Sequence, residues 1–208
     1  GTVGIVTLDD VVWAGPPDRD EAGSPNVVGA AALAAAIRQL TEIGMEAVAD
    51  HEADLTEYAL TALQKVPGVK IYGDKQPERA RNRLGVIPLG LEGINHFLVA
   101  AVLGHEFGIG VRSGCFCAHP YILHLLGLSK AQAENVRATM LAGDRSNMPG
   151  LIRASFGLYN SKDDVDALVE ALTCIAKQDY RGNYIQDRAS GEYKPEGWSP
   201  AFEKYFKL

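Results

Sequence analysis

The chain has 208 residues, 26 acidic against 20 basic side chains and a formal net charge of −6, with 47% hydrophobic and 22% charged residues. This is the balance of a globular protein able to bury a core of its own, with no general drive toward nucleic acid or anionic lipid. Three cysteines are few and odd in number for a secreted disulfide framework, and no apolar run approaches the roughly 20 residues of a membrane span. With no charged-then-apolar leader at its start, the chain is expected to be cytoplasmic and to bind neither nucleic acid nor membrane.

The opening, "GTVGIVTLDDVVWAG", has no initiator methionine and already alternates like a strand, so it reads as entry into the middle of a fold. Val3 to Val6 and Val11 to Trp13 read as two short strands joined by a hairpin around Asp9-Asp10. "PPDRDEAGSPN" is a loop. Ser24-Pro25 reads as a helix start, with Ser24 as cap and Pro25 at the first helical position. The Ala-rich helix from about Asn26 to Glu42 is apolar on most faces and is expected to be buried. Gly44 breaks it, and a second helix runs from Met45 to about Lys65.

From Pro67 onward "VKIYG" and "RLGVIPLGLEG" read as strands, "INHFLVAAVLGHEFG" as a helix and "IGVRSG" as a short strand. Helices are expected over Pro120 to Leu126 and Lys130 to Leu141, and "GLIRASFGLYN" is a strand. Ser161 with Asp164 forms a capping box for a last helix that buries Val165, Leu168, Val169, Leu172 and Ile175. Residues 178 to 208 are aromatic-rich but aperiodic, and are expected to drape over another surface. Alternating strands and helices indicate an α/β or α+β layered fold.

Three places carry candidate chemistry. Ser24, after Gly23 at a helix start, suits a phosphate through its hydroxyl and the free N–H groups there, or is an ordinary helix cap. Arg153 lies in the apolar run "GLIRASF" and needs an anion, either a substrate carboxylate or a neighbouring acid. The third is "RSGCFCAHP", residues 112 to 120. Cys115, Cys117 and His119 alternate there, but a zinc site wants four ligands and C-x2-C spacing, and no second cysteine pair exists. A disulfide between two cysteines so close would be strained. A cysteine near Arg112 is either a nucleophile favoured as thiolate or a quiet structural residue, and Cys174 is most simply core.

Together "EAGSPNVVGA", "GVRSGCFCAHP" and "IRASFGLYNSKDDVDALVEAL" resemble, in order and style, the class V aminotransferase-fold enzymes, most of all SUF-type cysteine desulfurases and selenocysteine lyases. The similarity covers about residues 1 to 176. It implies an α/β (α+β) fold, the C-terminal small domain of a fold-type I pyridoxal-phosphate enzyme plus the last strands and connecting helix of its large domain. Residues 1–43 would be that edge and helix, 44–176 the small domain with the cysteine loop, and 177–208 an extension.

The resemblance implies roles residue by residue. Ser24, with Gly23, would contact the phosphate of pyridoxal phosphate, in the family across a homodimer interface. Cys117 would be the sulfur-accepting nucleophile, Arg112 its loop arginine, and Arg153 the grip on the substrate α-carboxylate. The implied reaction takes L-cysteine, or selenocysteine, to L-alanine and leaves a persulfide on Cys117 for a sulfur-acceptor protein.

Two features depart from the SUF pattern. Cys115-Phe116 stand where histidines usually precede the cysteine, and "GCFC" resembles molybdenum-cofactor sulfurases. The stretch "LSKAQAENVRATMLAGDRSNMPG" lengthens the path to Arg153. The lysines, at 65, 70, 75, 130, 162, 177, 194, 204 and 207, never follow a histidine as the cofactor-binding lysine usually does. The chain is therefore expected to be the C-terminal part of such an enzyme, inactive alone. A class V transaminase or epimerase, or a non-catalytic interaction module, are the alternatives.

Overall fold

The computed structural model describes residues 1–204 and 206; residues 205, 207 and 208, including Lys207 and the end of the expected extension, lie outside the described residues. The chain divides into two compact units, Gly1–Val48 and Ala49–Leu208. No single helix among the described residues is long and apolar enough to cross a membrane.

In the first unit, β1 (Val3–Val6) and β2 (Val11–Trp13) form an antiparallel hairpin. It closes where the Thr7 N–H donates to Asp10 O at 2.8 Å, around the expected Asp9-Asp10 turn. Helix α1 (Val27–Ile43) ends at Gly44, whose φ of 91° lets the chain turn out of the helix. Two expectations need correction here. The cap is Asn26, whose side chain accepts from Gly29 N at 2.9 Å, so Ser24 lies outside the helix. An Asx side chain is as good a cap as serine, and Pro25 then stands just before the cap instead of inside the helix. Nor is α1 buried: Val28 is 81% and Leu33 62% exposed. A helix that is apolar on most faces needs more cover than one short hairpin can give.

Helix α2 (Met45–Leu63) runs into the second unit and buries Leu55, Ala59, Leu60 and Leu63. That unit is built on a four-stranded antiparallel sheet of β3 (Val69–Ile71), β4 (Val86–Leu91), β5 (Arg112–Gly114) and β6 (Leu151–Ser155), in the order β3-β4-β6-β5. Between β4 and β5 lies α3 (His96–Phe107); between β5 and β6 lie α4 (His119–Leu125) and α5 (Lys130–Leu141); α6 (Lys162–Ala176) follows β6. Asp164 accepts from the Ser161 N–H at 2.8 Å at the start of α6, as the capping pattern predicts.

The pleat sorts residues to two faces. Ile87, Leu89 and Leu91 of β4, with Ile152 and Ala154 of β6, join a core with α2, α3 and α6. Leu151 belongs instead to a smaller cluster with Cys115 and Ile122, flanked by Phe116. Arg153 shares that second face, because it alternates with Ile152 and Ala154. The helical layer thus leaves one face of β5 and β6 for charged and loop residues.

The C-terminal stretch is ordered more than its lack of periodicity suggests. β7 (Tyr184–Gln186) and β8 (Tyr193–Pro195) form an antiparallel hairpin. Glu106 of α3 fastens it, accepting from Arg181 N and Gly182 N, both at 2.9 Å, and from the Tyr184 hydroxyl at 3.1 Å. His105 meets the edge of Trp198 at 5.2 Å between ring centroids.

Candidate active site

β5 ends at Gly114, with φ of 101°, and the chain then folds into a tight turn closed by Ala118 N–H donating to Cys115 O at 2.8 Å. Its two central residues, Phe116 (φ 53°) and Cys117 (φ 60°), are both left-handed. A turn with positive φ at both central positions normally takes Gly, Asn or Asp, and each bulky residue there costs about 1–3 kcal/mol. Such strain persists only where the surroundings hold it, and it clusters at functional sites.

The hold comes from both sides of the turn. Cys115 is 4% exposed, and its thiol donates to Pro149 O at 3.1 Å. Burial pushes that thiol above its ordinary range and keeps it neutral. Phe116 packs at the edge of the Leu151 cluster, and the Arg153 guanidinium lies over its ring at 5.2 Å from the centroid. Cys117 is left exposed at the turn. The two cysteines of the motif are therefore physically different: one is a core thiol, the other a presented one.

Arg112 of β5 is the register partner of Arg153 on β6, so the two cations stand on the same face of the ladder. Among the described residues neither has an ion pair. The Arg153 Nε is buried without an acceptor. An unsatisfied charged donor of this kind is unfavourable unless an anion meets it. The sheet thus brings Arg112, Arg153 and the Cys117 turn together. Gly23 (φ 79°) and Ser24 are exposed residues of the first unit, and Ser24 has no hydrogen bond among the described residues.

Sequence reasoning missed the group that fixes this loop from below. His96 is 8% exposed at the first position of α3, and its Nε2–H donates to Met148 O at 2.9 Å. Its Nδ1 is buried without a partner, and desolvation, only partly offset by that hydrogen bond, lowers its pKa. A Cβ placed on Gly150 would lie 2.6 Å from His96 Nε2 and 2.7 Å from Gly114 Cα, so the strand end, the Cys loop and α3 meet where only glycine fits. The signal available was "INHF", a histidine entering an apolar helix.

Beside the loop, Cys115 and His119 line a groove of about 510 Å³ together with Leu123, Val136, Met140 and Met148. Among the described residues no three His, Cys, Asp or Glu side chains are placed to share a metal ion.

Residues 1–168 match the model of the family described as aminotransferase class-V. The chain is 38% identical over 165 residues to a cysteine desulfurase of Serratia proteamaculans, covering 79% of this chain and 34% of that protein. It is 34% identical over 167 residues to a probable cysteine desulfurase of Halobacterium salinarum, covering 80% and 34%. Its fold matches the apo structure of a cysteine desulfurase from Thermococcus onnurineus with a TM-score of 0.63 and 31% identity, covering 86% of this chain and 38% of that one. It also matches the S-sulfonic acid form of the Escherichia coli cysteine desulfurase CsdA, at 0.61 and 28%. The chain spans about a third of the length of the curated relatives it matches.

Proposed function

The chain belongs to the aminotransferase class-V family, and on that premise we propose that it is the C-terminal part of a pyridoxal-phosphate cysteine desulfurase, acting on L-cysteine through Cys117. The observation that carries the reading is the exposed Cys117, presented by a strained turn beside two cations that lack an ion pair, Arg112 and Arg153. Relatives named cysteine desulfurase support it.

The residues present fit the cofactor and its amino-acid substrate as far as they go. The orphaned Nε–H of Arg153 suits a carboxylate oxygen, and guanidinium edges bind carboxylates in pairs of hydrogen bonds. Ser24, with an unengaged hydroxyl after a left-handed Gly23, suits a phosphate. The lysine that would hold the cofactor is proposed to lie in residues outside this sequence, since none of its nine lysines follows a histidine.

Pyridoxal phosphate, when bound, supplies an electron sink that labilises the bonds around the substrate's α-carbon. Within that frame Arg153 orients the substrate by its α-carboxylate, and Arg112, its register partner, adds positive charge on the same face of the ladder. The Cys117 sulfur attacks the substrate sulfur, the carbon–sulfur bond breaks with its electron pair staying on carbon, and a proton completes alanine. The transferred sulfur remains on Cys117 as a persulfide for an acceptor protein. Positioning does much of this work, because aligned reactants gain the advantage of an intramolecular reaction. A homodimer in which Ser24 serves the neighbouring subunit's cofactor, and a cytoplasmic setting, belong to the same proposal.

The test is the release of alanine and sulfide from cysteine by the complete enzyme carrying this chain. Cys117→Ala is expected to abolish sulfide release in the presence of a reductant while leaving cofactor binding intact. Unchanged turnover by that variant, or transamination in place of sulfur release, overturns the reading. The 208-residue chain alone is expected to form no stable, borohydride-reducible adduct with pyridoxal phosphate on one specific lysine.

A further inference from the structure

The path from the cysteine to the carboxylate-binding arginine passes through one side chain that the reaction itself does not use. We propose that Phe116 is a positioning residue: it holds the Arg153 guanidinium by its face, leaves its edge free for a carboxylate, and so ties the grip on the substrate to the turn that presents Cys117. The role assigned to the carboxylate rests on the desulfurase reading; the contact itself does not.

Three observations support this. The Arg153 guanidinium carbon lies 5.2 Å from the Phe116 centroid, within the range of a cation–π contact. A guanidinium stacked on a ring keeps its N–H donors, which lie in its own plane, free for an anion. The Arg153 Nε donor is indeed unpaired. Second, no acidic side chain among the described residues pairs with Arg153, so the ring supplies a contact for this charge where an ion pair is lacking. An acid in that place would compete with an incoming carboxylate, whereas an aromatic face does not. Third, Phe116 is held at φ 53° next to Cys117 at φ 60°. A bulky aromatic at a position suited to Gly or Asn is expected where its side chain has work to do. Its backbone sets the turn and its ring sets the arginine, so neither can shift without the other.

The experiment uses the 208-residue chain, needs no cofactor, and reads the arginine directly. Phenylglyoxal adds to the guanidinium nitrogens, so labelling gives up the cation–π contact, and it needs open access to the group. Labelling of Arg153 is followed by peptide mass spectrometry, with exposed Arg38 as internal reference. Phe116→Leu is expected to speed Arg153 labelling about two- to fivefold over the parent, the range that a partly exposed cation–π contact supplies. Phe116→Tyr, which keeps the ring, is expected to label like the parent. Phe116→Met, similar in bulk but without a π-face, gives the same reading if the leucine variant does not fold, and protection of Cys115 from iodoacetamide reports folding in each. Equal labelling of the parent and the leucine or methionine variant overturns the proposal, as does a tyrosine variant that labels as fast as they do.

L-alanine is the carboxylate probe. It is expected to slow Arg153 labelling in the parent and in Phe116→Tyr; a parent that it fails to protect refutes a carboxylate-receptive edge. A complete enzyme that releases no sulfide, with Phe116-dependent labelling intact, refutes the reaction assigned above and leaves the positioning standing.

Discussion

Arg112 stands directly across the β5–β6 ladder from Arg153, two like charges in one register pair on the face of the sheet opposite the main core. Like charges in that position destabilise a sheet, so the arrangement favours an anion between them. L-alanine or sulfate at about ten times its Kd would stabilise the chain by about 1.4 kcal/mol, or roughly 3–5 °C in Tm. Differential scanning fluorimetry should show this shift, and Arg153→Met should remove it. Arg112→Thr, a good strand former, should leave the unliganded chain within about 0.5 kcal/mol of the parent or slightly more stable, with the anion response reduced.

The thiols should differ sharply in reactivity. Cys117 is exposed, while Cys115 is buried with its pKa raised by desolvation. At pH 8 iodoacetamide should label Cys117 first, on the order of a hundredfold faster than Cys115, since a buried apolar thiol is inert. Equal rates would mean that the turn opens on the labelling timescale.

Gly150→Ala offers a severe test of the packing beneath the loop. Its Cβ would meet the His96 ring at 2.6 Å and the Gly114 backbone at 2.7 Å, and backbone cannot yield as a flexible side chain can. Overpacking of this kind costs about 1–3 kcal/mol. Urea unfolding measures it, and an alanine variant of parental stability would contradict the close approach.

His96 makes stability pH-dependent in a defined direction. Desolvation, opposed in part by the hydrogen bond to Met148, holds its folded-state pKa below the ordinary 6.5. The unfolded chain therefore binds a proton there first, and the contribution of neutral His96 is full above 6.5 and fades as pH falls below it. Parental stability should drop between pH 6.5 and 5 more steeply than that of His96→Gln, which cannot be protonated. Parallel curves would assign the dependence to other groups.

Glu106 is the anchor of the C-terminal hairpin. Burial acts to raise its pKa, but hydrogen bonds from Arg181 N, Gly182 N and the Tyr184 hydroxyl outweigh that and hold it below its ordinary value. Glu106→Ala should expose the 181–196 segment to limited proteolysis, leaving the sheet of β3 to β6 intact. Cleavage unchanged from the parent would show that the contacts of Trp198 and β8 suffice.

Local signals in the sequence located nearly every regular element of the second unit, because each was carried by a period, a glycine or a cap. The strands around Ile87 and Ile152, α3, α5 and α6 are of this kind. What stayed hidden was set by distant partners. Nothing in "RSG" or "IRAS" tells that Arg112 and Arg153 share a register pair, since pairing across such a separation depends on the whole sheet. The left-handed φ of Phe116 and Cys117 was equally illegible, because neither is a residue that favours it. The β7–β8 hairpin is too short to show alternation, although its turn carried a hint: Asp187 accepts from Ala189 N and Ser190 N just before left-handed Gly191. Asn26 took the cap assigned to Ser24 through a choice between two adequate residues two positions apart.

The pairing of β5 with β6 also bears on how this site can vary. The strand ends fix where the two arginines stand, whatever length of chain joins them, and here that chain carries α4 and α5. The connecting segment is thus free to lengthen, shorten or be exchanged while the cation pair keeps its spacing. A scaffold of this design separates the cation pair, written into the ladder, from whatever surface the interposed helices offer to the outside.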